Sequence, residues 1–190
     1  MKKTIFVVLF LLMTIYSCDF INKRRSFHET KSRIDKLYGK TLVLPDTLNI
    51  LYHNQLMPCK KTNLLHGELF IVSRISGTCA RCVHNLKIWE EELINHVDTS
   101  RIKFLFYIYS DDYKYFKNIF YPEINHDYPL LIDTKDSFIV LNKLTEYDSR
   151  FHTFLLDENH NIKLVGSPLF NNEMKELYFR EIEKIYSESG

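Results

Sequence analysis

Apolar and polar positions alternate in blocks along the chain, and the blocks change period. Glu68–Ile75 (ELFIVSRI) and Arg101–Tyr109 (RIKFLFYIY) are short, nearly continuous apolar runs, the pattern of strands buried on both faces. Between them, Cys82, Leu86, Trp89, Leu93 and Val97 recur at spacings of three and four, which puts them on one face of a helix. Lys40–Tyr52 predicts two extended pieces separated by a Pro-Asp turn. Asp111 and Asp112 open a short helix to about Phe120, their carboxylates at the end where the helix dipole favours negative charge. Tyr128–Asp133 predicts a third core strand and Ser137–Leu144 a short helix. Phe151–Asp157 and Ile162–Gly166, joined by the turn ENHN, predict a hairpin. A closing helix carries Met174, Leu177, Tyr178, Ile182 and Ile185 on one stripe, with Asn171 or Asn172 as N-cap. Alternating strands and helices imply an α/β fold, a sheet with helices on both faces.

The N-terminus follows a different rule. Two lysines precede an apolar run from Ile5 to Ile15, and Ser17-Cys18 follow. A basic start and an apolar stretch this short read as an export signal rather than a membrane span. The ending TIYSC resembles the lipobox of bacterial lipoproteins, which implies cleavage before Cys18 and acylation of that cysteine, with palmitate among its acyl chains. Residues 1–17 are then the signal peptide, 18–39 a polar tether and 40–190 the folded domain. The expected location is the bacterial cell envelope, lipid-anchored and periplasm-facing. The 190 residues are 45% hydrophobic and carry a formal net charge of +1, enough for a core and too little charge for a nucleic-acid surface.

Four cysteines are present: Cys18, Cys59, Cys79 and Cys82. With Cys18 acylated three thiols remain, which suggests one pair and one spare. Cys79 and Cys82 are closely spaced, while Cys59 in MPCKK reads as a spare thiol in a loop. An oxidising compartment permits a disulfide.

The segment SGTCARC stands between a core strand and a long helix, the FLFYIY strand follows, and YPLLIDTKDSF and HTFLLDENHNIKLVGSP come later. In this order the chain resembles the thioredoxin-like superfamily, and within it the membrane-tethered TlpA/ResA-type thiol-disulfide oxidoreductases, over roughly Lys40 to Tyr186. The resemblance implies a central mixed sheet flanked by helices, with an N-terminal extended extension and an inserted β-α element. It also implies a redox-active Cys79–Cys82 disulfide and no bound cofactor. The partners would be thiols or disulfides of exported proteins, a membrane reductant or oxidant, and the lipid bilayer.

Helix starts expose free N–H groups and the positive end of the dipole, so a cysteine there forms its thiolate near neutral pH. Cys79 is the expected attacking thiol and Cys82, one turn inside, the resolving one. Arg81 adds a positive charge between them. Two positions depart from the family. Phe151 stands where relatives carry a cis-proline, and a cis bond before a non-proline residue costs about 3–4 kcal/mol, so a trans bond is expected. Thr78 stands where many relatives carry Trp. His152, at the start of the fourth core strand, is the one histidine expected near the active-site edge.

Other readings have less support. His84, His96, His126, His152 and His160 are metal ligands by type only, and no second Cys-x-x-Cys is present for a zinc site. The copper-binding relatives of this superfamily use Cys-x-x-x-Cys, which is absent. Peroxiredoxins place a proline seven residues before the reactive cysteine, where Val72 stands here. The alternative is a redox-inactive thioredoxin-like scaffold or a metal (copper) binding protein, although as a structural bridge so short a disulfide loop adds comparatively little stability.

Overall fold

The computed structural model describes residues 24–60, 62, 64, 66–124, 128–169 and 171–188. The expected signal peptide, Cys18 and His126 lie outside the described residues. The chain divides into two compact units, Met1–Leu37 and Tyr38–Gly190. In the first, residues 24–37 form helix α1 where a polar tether was expected. No described helix is long and apolar enough to cross a membrane.

The second unit is built on one seven-stranded sheet. Its elements are β1 (Thr47–Tyr52), β2 (Gln55–Lys60), β3 (Leu69–Ser76), α2 (Ala80–Glu92) and β4 (Ile102–Tyr109). Helix α3 follows in three segments, Tyr113–Tyr115, Phe116–Phe120 and Tyr121–Ile124, α-helical at both ends with a π-helix between. Then come β5 (Leu130–Ile132), α4 (Ser137–Leu141), β6 (Thr153–Asp157), β7 (Ile162–Val165) and α5 (Asn172–Glu188). The spatial strand order is β2-β1-β5-β4-β3-β6-β7. β3, β4 and β5 run parallel, and the remaining pairs are antiparallel.

The continuous apolar runs became the two central strands, buried on both faces. Side chains alternate across a strand. On one face Ile71, Ile75, Phe106 and Ile108 pack with Val83, Leu86 and Trp89 of α2 and with Tyr178 and Ile182 of α5. Trp89 lies 5.5 Å from the Phe106 ring, so it serves the core. On the other face Tyr107 stacks on Phe138 of α4 at 4.7 Å, and Phe138 meets Phe154 edge-on.

The caps expected from sequence are present. The Asp112 carboxylate accepts the Tyr115 N–H at 2.9 Å at the start of α3. Asn171 Oδ1 accepts the Met174 N–H at 3.0 Å before α5. Of the two extended pieces in Lys40–Tyr52, the first makes the isolated bridge Thr41–Asn161 and the second is β1, which pairs with β2. The turn between β1 and β2 is His53-Asn54, both at positive φ (44° and 61°), the geometry whose twist matches a two-residue hairpin. Cys59 therefore lies in a strand, not a loop.

Candidate functional site

β3 reaches the dithiol through a tight crossing. The Gly77 N–H donates to the Tyr109 carbonyl of β4 at 2.7 Å, extending the sheet one step beyond β3. A Cβ at Gly77 would lie 3.0 Å from both Ile108 Cγ2 and Ser110 Cβ, and 3.1 Å from Tyr109 O. The neighbouring strand thus favours glycine, since any Cβ there would press on it more tightly than an ordinary contact. Thr78 is exposed, and its hydroxyl lies 3.2 Å from that of Ser76.

Cys79 is the N-cap residue of α2, with extended backbone angles, and its carbonyl accepts the Val83 N–H at 3.0 Å. Its Sγ also accepts the Cys82 N–H at 3.3 Å. Cys79 and Cys82 are joined by a disulfide, with their Cα atoms 5.2 Å apart, within the usual range for a bridged pair. Both are half-buried, whereas Ala80 and Arg81 are exposed. The first turn of α2 contains no acidic residue. Nothing there offsets the positive end of the helix dipole, and the Arg81 guanidinium adds to it. The arrangement can hold a sulfur anion at Cys79 and close the ring through Cys82.

The two residues expected from the far side of the site are placed differently. No cis peptide bond occurs among the described residues, so the bond before Phe151 is trans. Phe151 ends a 3-10 turn, Ser149–Phe151, and is buried, with the Arg150 guanidinium 5.9 Å from its ring. Continuing the β3–β6 register past Ser73–Thr153 sets Phe151 across from Ile75 and His152 across from Arg74. The His152 carbonyl accepts the Arg74 N–H at 3.0 Å. The buried His152 ring turns to the Leu144 carbonyl, 3.3 Å from Nε2. Desolvation, with the Arg74 charge adding to it, holds its pKa below the usual imidazole value. His152 thus belongs to a polar cluster on the α4 face of the sheet, opposite α2. Sequence reasoning missed the centre of that cluster. Arg74 donates from Nε and Nη2 to both carboxylate oxygens of Asp136 at 3.1 and 3.0 Å, and its guanidinium lies 4.7 Å from the Tyr109 ring centre. The available signal was a lone charged residue inside a strand otherwise made of apolar residues and two serines.

Asp133 and Asp157 do turn chemistry. Asp133 accepts the N–H groups of Ser137 and Phe138 at 2.8 Å, and Asp157 accepts those of Asn159 and Asn161. The Cys59 thiol is in no disulfide and buried, and burial pushes its pKa up, which disfavours its thiolate. It lines an open cavity of about 750 Å³ with Lys60, Asp133 and Lys135, which does not include the dithiol. Among the described residues no group of three or more His, Cys, Asp or Glu is placed to hold a metal ion.

No family model and no curated protein matches the sequence. Solved structures do. A candidate protein disulfide isomerase from Bacteroides thetaiotaomicron aligns with a TM-score of 0.58 at 15% identity, over 78% of this chain and 89% of that one. A candidate thiol:disulfide interchange protein DsbE from Chlorobium tepidum aligns at 0.53 and 12% identity, over 77% and 97%. The mitochondrial 2-Cys peroxiredoxin of Plasmodium falciparum aligns at 0.53 and 14% identity, over 81% and 98%. Identities this low carry the fold and nothing finer. The chain has a thioredoxin-like fold, a central mixed sheet flanked by helices.

Proposed function

We propose that this chain is an envelope thiol-disulfide oxidoreductase, of the membrane-tethered TlpA/ResA type, that exchanges disulfides with exported proteins through Cys79 and Cys82. The observation that carries the reading is the Cys79–Cys82 disulfide at the N-cap of α2, with the Cys82 N–H on Cys79 Sγ and no carboxylate in the first turn.

The chemistry follows from that placement. In the reduced protein the Cys79 thiolate attacks one sulfur of a partner disulfide. A mixed disulfide forms and the partner's other sulfur leaves as a thiolate. The Cys82 thiolate then attacks Cys79 Sγ, releasing the partner's second thiol and closing the Cys79–Cys82 bond. Two electrons pass to the partner, and a dithiol or equivalent two-electron donor at the membrane restores the reduced pair. The same steps in reverse oxidise a partner. Thr78 and Arg81, exposed on either side of Cys79, would contact the partner. Phe151 presents a trans peptide where a cis-proline would otherwise meet it. Acylated Cys18 would hold the domain at the membrane, with residues 1–17 removed and 18–39 linking it to the domain that begins at Lys40.

The test is a redox titration of the full chain in detergent. Equilibrate it in graded dithiothreitol or glutathione buffers, alkylate, and read Cys79 and Cys82 by peptide mass. A reversible two-electron transition within the glutathione range supports exchange, and its midpoint assigns donor or acceptor duty. A pair that stays oxidised until strong reductant is present would sink the reading and leave a structural bridge. Cys79→Ser should abolish exchange, and Cys82→Ser should accumulate mixed disulfides.

A further inference from the structure

The positive charge of this chain is concentrated in α1. Residues 24–37 contain five Lys or Arg against two acids, while the whole chain carries only +1. Helical spacing sorts these charges into two flanks. On one flank Arg25 pairs with Glu29 at 3.0 Å, with Lys36 two turns beyond Glu29. On the other, Arg24, Phe27 and Lys31 stand at i, i+3 and i+7, all exposed, with Phe27 65% exposed. This face sets an exposed aromatic ring between two cations. It suits an interface where the ring enters the headgroup region and the cations meet phosphates.

We propose that the Arg24–Phe27–Lys31 face of α1 docks on the anionic headgroups of a lipid bilayer. The proposal rests on the membrane-tether reading of Cys18 in one respect, the distance. Five residues separate Cys18 from Arg24, six steps along the chain, so the helix starts at most about 20 Å from the anchored residue. Within that reach the bilayer is the polyanion α1 meets first. Docking would lay α1 along the surface.

The experiment uses the full-length chain reconstituted into vesicles of phosphatidylcholine alone or of phosphatidylcholine mixed with phosphatidylglycerol. The vesicles are floated to recover bound protein. Lysines are then acylated with a water-soluble amine reagent, and rates are read by peptide mass. Lys31, on the docking face, is compared with Lys36, on the other flank of the same helix. Docking predicts that Lys31 slows about fivefold relative to Lys36 on the anionic vesicles only, and recovers in high salt. The double variant Arg24→Glu/Phe27→Ser, at exposed positions, should remove the difference. Co-flotation with the same Lys31:Lys36 ratio on both vesicles overturns the docking and leaves the tether standing. A chain that floats with neither vesicle overturns both.

Discussion

Gly77 is the residue on which the approach to the dithiol depends. The three atoms around its missing Cβ come from β4 and the residue after it, so none can swing away as a flexible side-chain end would. Gly77→Ala should cost about 1–3 kcal/mol, in the range of overpacking, and lower the melting temperature by roughly 2–4 °C per kcal/mol. Thermal unfolding of the oxidised protein checks this. His152 governs a different response. Desolvation makes the folded protein bind its proton more weakly than the unfolded chain does, with Arg74 adding to the effect and Asp136 opposing it. Between the lowered folded pKa and the unfolded value of about 6.5, the unfolded state holds more protons. Stability should therefore fall as pH drops below about 6.5, and level off once the folded pKa is passed. His152→Gln should flatten that slope in urea midpoints measured from pH 8 to 5. An unchanged slope would assign the acid sensitivity to other groups.

At the scale of elements, α2 and its cap decide whether Cys79 is a nucleophile. Its first turn has no carboxylate and one exposed arginine. Arg81→Glu reverses that charge at a helix N-terminus, a change worth about 0.3–1 kcal/mol. Alkylation of the reduced Cys79 thiol at neutral pH should slow roughly two- to fivefold, with the melting temperature of the oxidised form little changed. Equal rates would mean that the local dipole, and not Arg81, sets the reactivity. The same elements show what sequence could reveal. β3, α2 and β4 were legible because each buries enough apolar surface to impose its own period on the chain. β2 was not, because five of its six residues are exposed and it includes Pro58. An edge strand lying outside the core needs no apolar face, and only the His53-Asn54 turn marked it. Helix α1 was missed for a similar reason, since its charges read as a solvated tether. The Arg74–Asp136 contact joins residues 62 apart. No local pattern encodes it, and it arises only once β3 and the start of α4 are brought together.

At the scale of the whole molecule, an open seven-stranded sheet has two edges that could each recruit another chain. The β7 edge is covered from within. Gly39 and Leu42 donate to the Ile162 and His160 carbonyls at 2.9 Å, and Ile162 donates to the Lys40 carbonyl. This is the role of the extended segment before β1. Among the described residues the β2 edge has no such cover, and Leu56 and Met57 are exposed on it. Its protection is chemical. In a two-residue hairpin the residues flanking the turn, Tyr52 and Gln55, form a hydrogen-bonded pair, and pair types alternate from there. Leu56, Pro58 and Lys60 therefore direct their backbone groups outward, and Pro58 has no N–H to offer. The middle of the free edge thus lacks a donor. Pro58→Val should restore a continuous row of outward donors beside two exposed apolar side chains. The variant is expected to self-associate at concentrations where the parent protein does not, which sedimentation velocity in detergent would detect. If the variant sediments like the parent across a concentration series, the edge is guarded by something other than proline, and the outward lysine at position 60 becomes the residue to replace next.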